Sequence, residues 1–160
     1  MIRYARIPTP LGPLLATAEG NKLTGLYFEG GRHAPGISPT WQEDPSHAPL
    51  RRCAGQVAAY LEGKREQFDL PLAPSGTPFQ QRVWNEIARI PYGATITYAE
   101  LAKRAGSPRS ARAAGAATGR NPLSIIVPCH RVVGSSGSLT GYAGGFERKR
   151  RLLALEGAAA

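Results

Sequence analysis

A segment rich in proline, glycine and serine, LPLAPSGTPF at residues 70–79, divides the sequence into two parts with different patterns. Proline and glycine interrupt regular backbone hydrogen bonding, so a cluster of this kind is typical of a junction between domains. Short strand-like segments dominate the first part and helical periodicity dominates the second. A chain of 160 residues can form two small domains. The sequence therefore predicts an α+β protein with domains at residues 1–74 and 75–160.

Three strand patterns occupy the start of the first part. The segments IRYARI, GPLLATAE and NKLTGLYF are apolar and are separated by the turn residues Gly-Pro and Glu-Gly-Asn, which predicts a small antiparallel sheet. Residues 30–48 are rich in glycine and proline and predict a loop. PLRRCAGQVAAYLEG, at residues 49–63, predicts a helix whose apolar stripe includes Cys53. This thiol is therefore expected to be a small buried hydrophobe.

The second part begins with helical patterns. PFQQRVWNEIARIP, at residues 78–91, predicts one helix. Thr97 and the glutamate three residues later form a capping-box pattern, so a second helix should begin at Tyr98 and end at Gly106. Ser107 followed by proline predicts the start of a third helix that continues to about Thr118. Two short helices joined by a glycine-containing turn are typical of a helix-turn-helix.

The end of the chain combines an apolar run, a glycine-rich loop and a basic helix. The run LSIIVPCHRVV, at residues 123–133, predicts a strand that Pro128 interrupts, because proline cannot donate to a ladder. The loop GSSGSLTGYAGG, at residues 134–145, is long enough for a hairpin or wing. FERKRRLLALEG, at residues 146–157, predicts an amphipathic final helix.

The positive charge of the chain is concentrated in its second part. Residues 1–74 carry eight basic and seven acidic side chains, a net charge of +1, whereas residues 75–160 carry twelve and four, a net charge of +8. A polyanion is the natural partner, and DNA or RNA is the first candidate. The third predicted helix fits this because Arg109 and Arg112 accompany small residues that would let a surface approach closely. A tightly packed helix pair without a ligand is the alternative.

Cys129 and His130 are the candidate reactive residues. A thiol is a good nucleophile only as thiolate, and cationic neighbours or a base lower its pKa. His130 could act on Cys129 through a water molecule, with Glu156 orienting the imidazole. The residue types alone also allow an inert thiol in an apolar run.

Other features argue against several classes of protein. The only two cysteines lie in no CxxC and near no histidine pair at zinc spacing, so we expect no metal site and no cofactor. A disulfide is disfavoured in a reducing compartment. The apolar stretches are too short to span a bilayer, and the N-terminus MIRYARIPTP does not resemble a secretion signal. We therefore expect a cytoplasmic protein that is not associated with membranes.

The sequence resembles the O6-alkylguanine-DNA alkyltransferases, which are self-inactivating DNA repair proteins. The resemblance is strongest over residues 77–157, where the PCHRV core follows an RNP motif and precedes a Tyr-x-Gly-Gly motif. TPLGPLLATAEGNKLTGLYF near the N-terminus is similar to bacterial members. The resemblance implies a ribonuclease H-like N-terminal domain and a mostly helical, winged helix-turn-helix-like second domain. The sequence differs from some members of the family in having alanine at position 143 in place of serine and in lacking their zinc ligands.

The resemblance also implies a set of reacting residues. Cys129 would accept the alkyl group as a permanent thioether, so each molecule would act once. His130 would be the base, held by Glu156. Asn121 would pin the turn at the site, and Tyr98 would donate a proton to the guanine ring. The catalytic set implied is Tyr98, Asn121, Cys129, His130 and Glu156.

The implied partner is double-stranded DNA that carries O6-alkylguanine, with no obligate protein partner. The helix-turn-helix would enter the minor groove, the damaged base would be flipped out, and Arg112 would fill the gap. The DNA-binding residues implied are Thr97, Tyr98, Arg109, Ala111, Arg112, Ala113, Ala114 and Gly115. Those implied for the base pocket are Pro128, Val132, Tyr142, Ala143 and Gly144. O4-alkylthymine is a possible second substrate of such a site.

Two other functions remain open from the sequence. A pure binding module would use the helix-turn-helix to recognise damaged DNA or to regulate transcription, but it would have no need of Cys129. A Cys/His hydrolase would use Cys129 and His130, but the sequence has no obvious oxyanion-hole signature and the basic helix pair would be unexplained.

Overall fold

The computed structural model describes residues 1–139 and 141–158. The chain divides into two compact units. The first contains Met1–Ser75 together with Pro122–Ser124. The second contains Gly76–Asn121 and the described residues from Ile125 onward. The first unit is built around a sheet and the second is mostly helical, which confirms the predicted α+β class.

The sheet of the first unit contains the three predicted strands and one that was not predicted. Strands β1 (Ile2–Ile7), β2 (Leu14–Glu19) and β3 (Lys22–Phe28) pair in antiparallel fashion. A short β4 (Gln42–Glu43) pairs parallel to β1 inside the predicted loop, so the sheet is mixed and has the order β3-β2-β1-β4. The difference arises because the Asp44 amide donates to the Tyr4 carbonyl and the Asp44 carboxylate pairs with Arg3.

Helix α1 (Ala48–Leu61) packs against this sheet with the predicted stripe. Leu50, Cys53, Val57 and Tyr60 are all fully buried. Burial raises the pKa of Cys53 to about 12, because the thiolate would be poorly solvated. The prediction that Cys53 is a buried hydrophobe is confirmed.

Helix α2 (Pro78–Ala88) begins the second unit with a complete capping box. The Thr77 hydroxyl accepts from the Gln80 amide, and the Gln80 side chain accepts from the Thr77 amide. The indole of the buried Trp84 donates to the Ala117 carbonyl at 2.8 Å. This hydrogen bond ties α2 to the helix pair that follows.

The helix pair differs from its prediction at the second helix. The short β5 (Ile96–Thr97) leads into α3 (Tyr98–Arg104), which begins at the predicted residue. Helix α4 (Ala111–Gly119) begins three residues later than predicted, and its cap is Ser110, whose hydroxyl accepts from the Ala113 amide. Ser107 does not cap a helix and lies in the turn between the two helices, where its amide donates to the Ala102 carbonyl and its carbonyl accepts from the Ser110 amide.

The apolar run at residues 123–133 is not the predicted strand. Cys129–Arg131 form a 3-10 turn after Pro128, and only β6 (Val132–Val133) is a strand, parallel to β5. The predicted hairpin or wing has no strand within residues 134–139 and 141–145, and Thr140 lies outside the described residues. Helix α5 (Phe146–Leu155) follows as predicted. Among the described helices, none is long and apolar enough to cross a membrane.

Candidate active site

The turn that carries Cys129 is held by backbone and side-chain hydrogen bonds. The Cys129 amide donates to the Val127 carbonyl at 2.7 Å, and the Arg131 amide donates to the Pro128 carbonyl at 2.9 Å. The buried Asn121 amide group donates to the same Val127 carbonyl at 2.9 Å. Because Pro128 leaves the ladder, the chain can form this tight turn and orient the two side chains that follow.

His130 contacts a buried carboxylate that also binds Arg131. The Nε2 atom of His130 lies 2.8 Å from Oε2 of Glu156, and neither side chain is exposed. Arg131 donates from Nε to Oε1 and from Nη2 to Oε2 of Glu156, both at 2.8 Å, and from Nη1 to the Ile90 carbonyl at 2.6 Å. A carboxylate that receives two guanidinium bonds is an acceptor, so Nε2 of His130 carries its proton toward Glu156.

The imidazole of His130 is a neutral base. Burial lowers its pKa because the imidazolium would be poorly solvated, and the charges of Arg131 and Lys149 act in the same direction. Glu156 opposes them, and the net direction is downward. With the proton on Nε2, the basic lone pair belongs to Nδ1.

The Cys129 thiol is 3% exposed but is not surrounded only by apolar groups. Burial raises its pKa. The Asn121 side chain, the charge of Lys149 and the backbone amides of Cys129 and His130 all lower it. The thiolate is thus opposed by desolvation and favoured by four nearby donors or charges, so its formation needs a base and benefits from a cation.

Tyr98 lies at the start of α3 and is half-buried. Its hydroxyl lies 3.5 Å from Nζ of Lys149. The absence of a side chain at Gly141 allows the hydroxyl to fit, because a Cβ atom there would lie 2.7 Å from the hydroxyl oxygen. A Cβ atom at Gly115 would lie 3.7 Å from the ring, which is an ordinary van der Waals contact. Burial and the nearby Cys129 raise the pKa of Tyr98 to about 12, so the phenol keeps its proton.

The expected base-pocket residues lie directly before and after the Cys129 turn and at positions 142–144, and they are mostly buried. Pro128, Val132, Tyr142 and Gly144 are buried, and Ala143 is half-buried. The Tyr142 ring meets the His130 ring edge to face, with 6.5 Å between centroids. The Val132 carbonyl accepts from Nζ of Lys149 at 2.5 Å.

The residues expected to contact DNA fall in different environments. Ala111 and Arg112 are exposed on α4, whereas Ala113 and Gly115 are half-buried. Arg109 is exposed but precedes α4, which corrects its predicted place on the helix. Ala114 is fully buried, so its side chain packs inside the unit and is not available to DNA. Thr97 caps α3 by accepting from the Glu100 amide.

Sequence reasoning missed two residues of this site, Arg131 and Lys149. Arg131 is 7% exposed and Lys149 is fully buried. The signal for Lys149 was its helical spacing of three, four and seven residues from Leu152, Leu153 and Glu156, which places it on the buried face of α5. Arg131 had no comparable signal, because an arginine after a Cys-His pair is expected to be exposed.

No group of three or more histidine, cysteine, aspartate or glutamate side chains within residues 1–139 and 141–158 could hold a metal ion.

Comparison with known proteins connects this geometry to a family. A family model described as 6-O-methylguanine DNA methyltransferase, ribonuclease-like domain, matches residues 2–74. The model described as 6-O-methylguanine DNA methyltransferase, DNA binding domain, matches residues 78–158, which include the whole of the Cys129 site. The chain belongs to the 6-O-methylguanine DNA methyltransferase family. The resemblance inferred from the sequence is therefore confirmed.

Relatives of the family match this chain over nearly its whole length. A Methanosarcina acetivorans protein named methylated-DNA–protein-cysteine methyltransferase is 45% identical over 96% of this chain and 97% of its own. A Mycobacterium bovis protein of the same name is 47% identical over 98% and 93%. The crystal structure of Mycobacterium tuberculosis OGT in complex with DNA has a TM-score of 0.89 and 45% identity, and the match covers 99% of this chain and 96% of that one.

Proposed function

We propose that this member of the 6-O-methylguanine DNA methyltransferase family repairs DNA by moving an alkyl group from O6 of guanine to Sγ of Cys129. The observation that carries the proposal is the setting of the thiol, next to a neutral histidine that is oriented by a buried carboxylate. The names of the relatives and the DNA complex of the Mycobacterium tuberculosis protein support it.

The transfer is a displacement at the alkyl carbon. His130 takes the thiol proton at Nδ1, through a water molecule, and the imidazolium is stabilised by Glu156. The Sγ–C bond forms as the C–O6 bond breaks, and the electron pair remains on the guanine. The hydroxyl of Tyr98 then gives a proton to the guanine ring, which leaves unmodified guanine in the DNA. The thioether has no reductive route back to thiol, so each molecule acts once.

Burial of the thiol supports base flipping. Cys129 is 3% exposed, and an alkyl carbon within a stacked duplex cannot reach a sulfur atom in that position. The base therefore has to leave the stack and enter the protein, as for other enzymes that act on single bases. Backbone and side chains at Pro128, Val132, Tyr142 and positions 143–144 would then surround it. O4-alkylthymine carries a comparable alkyl-oxygen group, and we include it as a second substrate.

The α3–α4 pair is the proposed DNA surface, and we propose that it enters the minor groove. Ala111, Arg112, Ala113 and Gly115 present small side chains and one exposed cation, which suits a narrow groove. Arg112 would occupy the space that the flipped nucleotide leaves. We propose residues 1–74, with their net charge of +1, as a scaffold domain and residues 75–160 as the domain that binds DNA and accepts the alkyl group.

The decisive experiment uses a duplex with a single O6-methylguanine. The protein is mixed with it and digested, and both products are analysed by mass. We expect a methyl group on the Cys129 peptide and guanine restored in the DNA, in equal amounts. Cys129→Ser should lose transfer and keep DNA binding, whereas Cys53→Ser, at the other cysteine, should transfer normally. Turnover with release of free product would indicate a hydrolase, and tight binding to unchanged DNA would indicate a binding module.

A second comparison tests base flipping. Arg112→Ala should slow transfer from duplex DNA much more than transfer from the free O6-methylguanine base, because only the duplex reaction requires extrusion. Arg89→Ala removes an exposed arginine from the end of α2 and is the matched control. Equal losses on duplex and free base would remove the extrusion role from Arg112. A parallel duplex with O4-methylthymine tests the second substrate.

A further inference from the structure

Helix α2 carries an exposed arginine, Arg82, whose side chain reaches the end of α3. We propose, on the basis of the proposed function, that Arg82 binds a phosphate group of the DNA backbone and so extends the DNA surface from the helix pair onto α2. Four observations carry this proposal: how the guanidinium is held, which of its donors remain, the charges around it and its place beside the turn between α3 and α4.

The first observation is that two contacts fix the Arg82 guanidinium. Its Nε donates to the Ala105 carbonyl at 3.3 Å. Its central carbon lies 5.5 Å from the centroid of the Phe79 ring, which is three residues earlier on the same face of α2. An aromatic face attracts a guanidinium, and the hydrogen bond keeps its plane from turning freely. Part of the conformational entropy that a long side chain loses when it binds a ligand is therefore lost already.

The second observation is the pair of donors that remains. Within residues 1–139 and 141–158, neither Nη group of Arg82 has a hydrogen-bond or ion-pair partner. The two groups present parallel N–H bonds in a planar fork, which matches two oxygens of a phosphate. Arg82 is therefore oriented as a phosphate ligand before DNA binds.

The third observation is the charge around Arg82. Glu86 follows it by one helical turn on α2, but this carboxylate pairs with Arg89 at 2.9 Å. In the part of the chain that the structure describes, Arg82 has no carboxylate partner. The same holds for four exposed cations of the helix pair and its turn, which are Lys103, Arg109, Arg112 and Arg120. Cations that the protein does not neutralise attract a polyanion.

The fourth observation is the place of this cation. Ala105 ends α3, and the turn that follows, residues 106–110, includes the exposed Arg109. The hydrogen bond to Ala105 therefore places the charge of Arg82 beside the helix pair. In helix-turn-helix proteins the first helix crosses the DNA backbone, so a cation at the end of that helix lies close to phosphates. Such contacts position a protein on the duplex without reading its sequence.

The contact is tested by the salt dependence of DNA binding. Arg82→Gln removes the charge, and the matched control is Arg150→Gln, which removes an exposed arginine that pairs with Glu147 on α5. Affinity for a short unmethylated duplex is measured by fluorescence anisotropy. One lost phosphate contact should lower the slope of log K against log salt by about 0.9, so Arg82→Gln should bind roughly eightfold more weakly than the parent at about 0.1 M salt and about equally near 1 M. Arg150→Gln should keep the parent's slope.

A second variant and a rate measurement separate phosphate binding from a structural role. Arg82→Lys keeps the charge but lacks the fork, so its slope should stay close to that of the parent. With methylated duplex, Arg82→Gln should raise the half-saturating concentration roughly eightfold at about 0.1 M salt and leave the transfer rate at saturation unchanged. Transfer from the free O6-methylguanine base should also be unchanged, because the free base has no phosphate. Arg112→Ala should instead lower the saturated rate on duplex.

The results distinguish the possible failures, and circular dichroism verifies that each variant is folded. An unchanged salt slope in Arg82→Gln would refute the phosphate contact, as would a slope in Arg82→Lys as low as that of Arg82→Gln. A lower transfer rate at saturation or on the free base would indicate that Arg82 only braces the end of α3 through the Ala105 carbonyl, and would also refute it. A parent protein that binds duplex but transfers no methyl group would refute the proposed function alone, because the binding measurement uses unmethylated DNA.

Discussion

The buried carboxylate of Glu156 offers the sharpest test of how the site is held. Its two oxygens accept two bonds from Arg131 and one from His130, and its side chain is completely buried. Glu156→Gln keeps the shape but removes the charge. It leaves the guanidinium of Arg131 without a counter-charge and directs an amide N–H group toward a donor. The substitution should therefore destabilise the second unit far more than the loss of a surface charge.

The magnitude follows from burial. Removing one partner of a buried ion pair costs about 3–5 kcal/mol, because the remaining charge stays desolvated. The amide oxygen of glutamine keeps one acceptor, so we expect about 3 kcal/mol. For a chain of 160 residues, a loss of that size lowers Tm by roughly 6–12 °C. The matched control is Glu147→Gln, which breaks an exposed pair with Arg150 and should change the free energy of unfolding little, because solvent screens exposed charges.

The assay is denaturant unfolding followed by tryptophan fluorescence. Trp84 is buried in the second unit, and a Trp41→Phe background makes it the only tryptophan. Arg131→Met combined with Glu156→Gln should recover part of the loss, because the unpaired cation is then gone as well. If Glu156→Gln costs no more than Glu147→Gln, the ion pair does not hold the site and the reasoning is wrong.

Three further predictions concern single contacts. Gly141→Ala should destabilise the protein by more than about 1 kcal/mol and slow transfer, because Gly141 has a φ of 84° and the new Cβ would lie 2.7 Å from the Tyr98 hydroxyl. Thermal unfolding measures the first effect and the transfer rate measures the second. Unchanged stability and transfer would contradict the close approach. Thr77→Ala should cost about 1 kcal/mol in denaturant unfolding, because it removes the acceptor of the Gln80 amide, and a loss near zero would mean that the cap contributes nothing. The pKa of Cys53 in the folded protein is raised from 9.0 to about 12, so its contribution to stability is present below pH 9 and is lost as pH rises toward 12. The free energy of unfolding of the parent should therefore fall more steeply between pH 9 and 12 than that of Cys53→Ala. Parallel curves for the two proteins would refute the shift.

Local patterns predicted most of the helices and strands, because local hydrogen bonds and apolar periodicity determine them. The stripe of α1 with Cys53 and the start of α3 at Tyr98 were predicted correctly. The start of α4 was not, since Ser107 and Ser110 are both good cap residues, and the bond from the Ser107 amide to the Ala102 carbonyl keeps Ser107 in the turn that ends α3. That bond depends on how α3 ends, which a cap pattern does not encode.

The parts of the site that the sequence did not reveal depend on contacts between distant residues. Arg131 contacts Glu156, 25 residues further along the chain, and the Ile90 carbonyl, 41 residues before it. The strand pattern of residues 123–133 suggested one continuous ladder, but only Val132 and Val133 form a strand, and Leu123 makes an isolated bridge to Leu26 of β3. Apolar residues that fill a packed turn and apolar residues of a buried strand have the same composition, so periodicity cannot distinguish them.

The short β5–β6 ladder has a mechanical consequence. It pairs Ile96 with Val132 and Thr97 with Val133, so the residue that caps α3 is joined to the peptide that follows the Cys129 turn. The position of the helix pair and the position of the Cys129 sulfur therefore both depend on one ladder that is two residues long in each strand. A substitution in this ladder that shifts the helix pair would also shift the Cys129 sulfur. The affinity of the helices for a ligand and the reactivity of the thiol would therefore be hard to change independently during evolution.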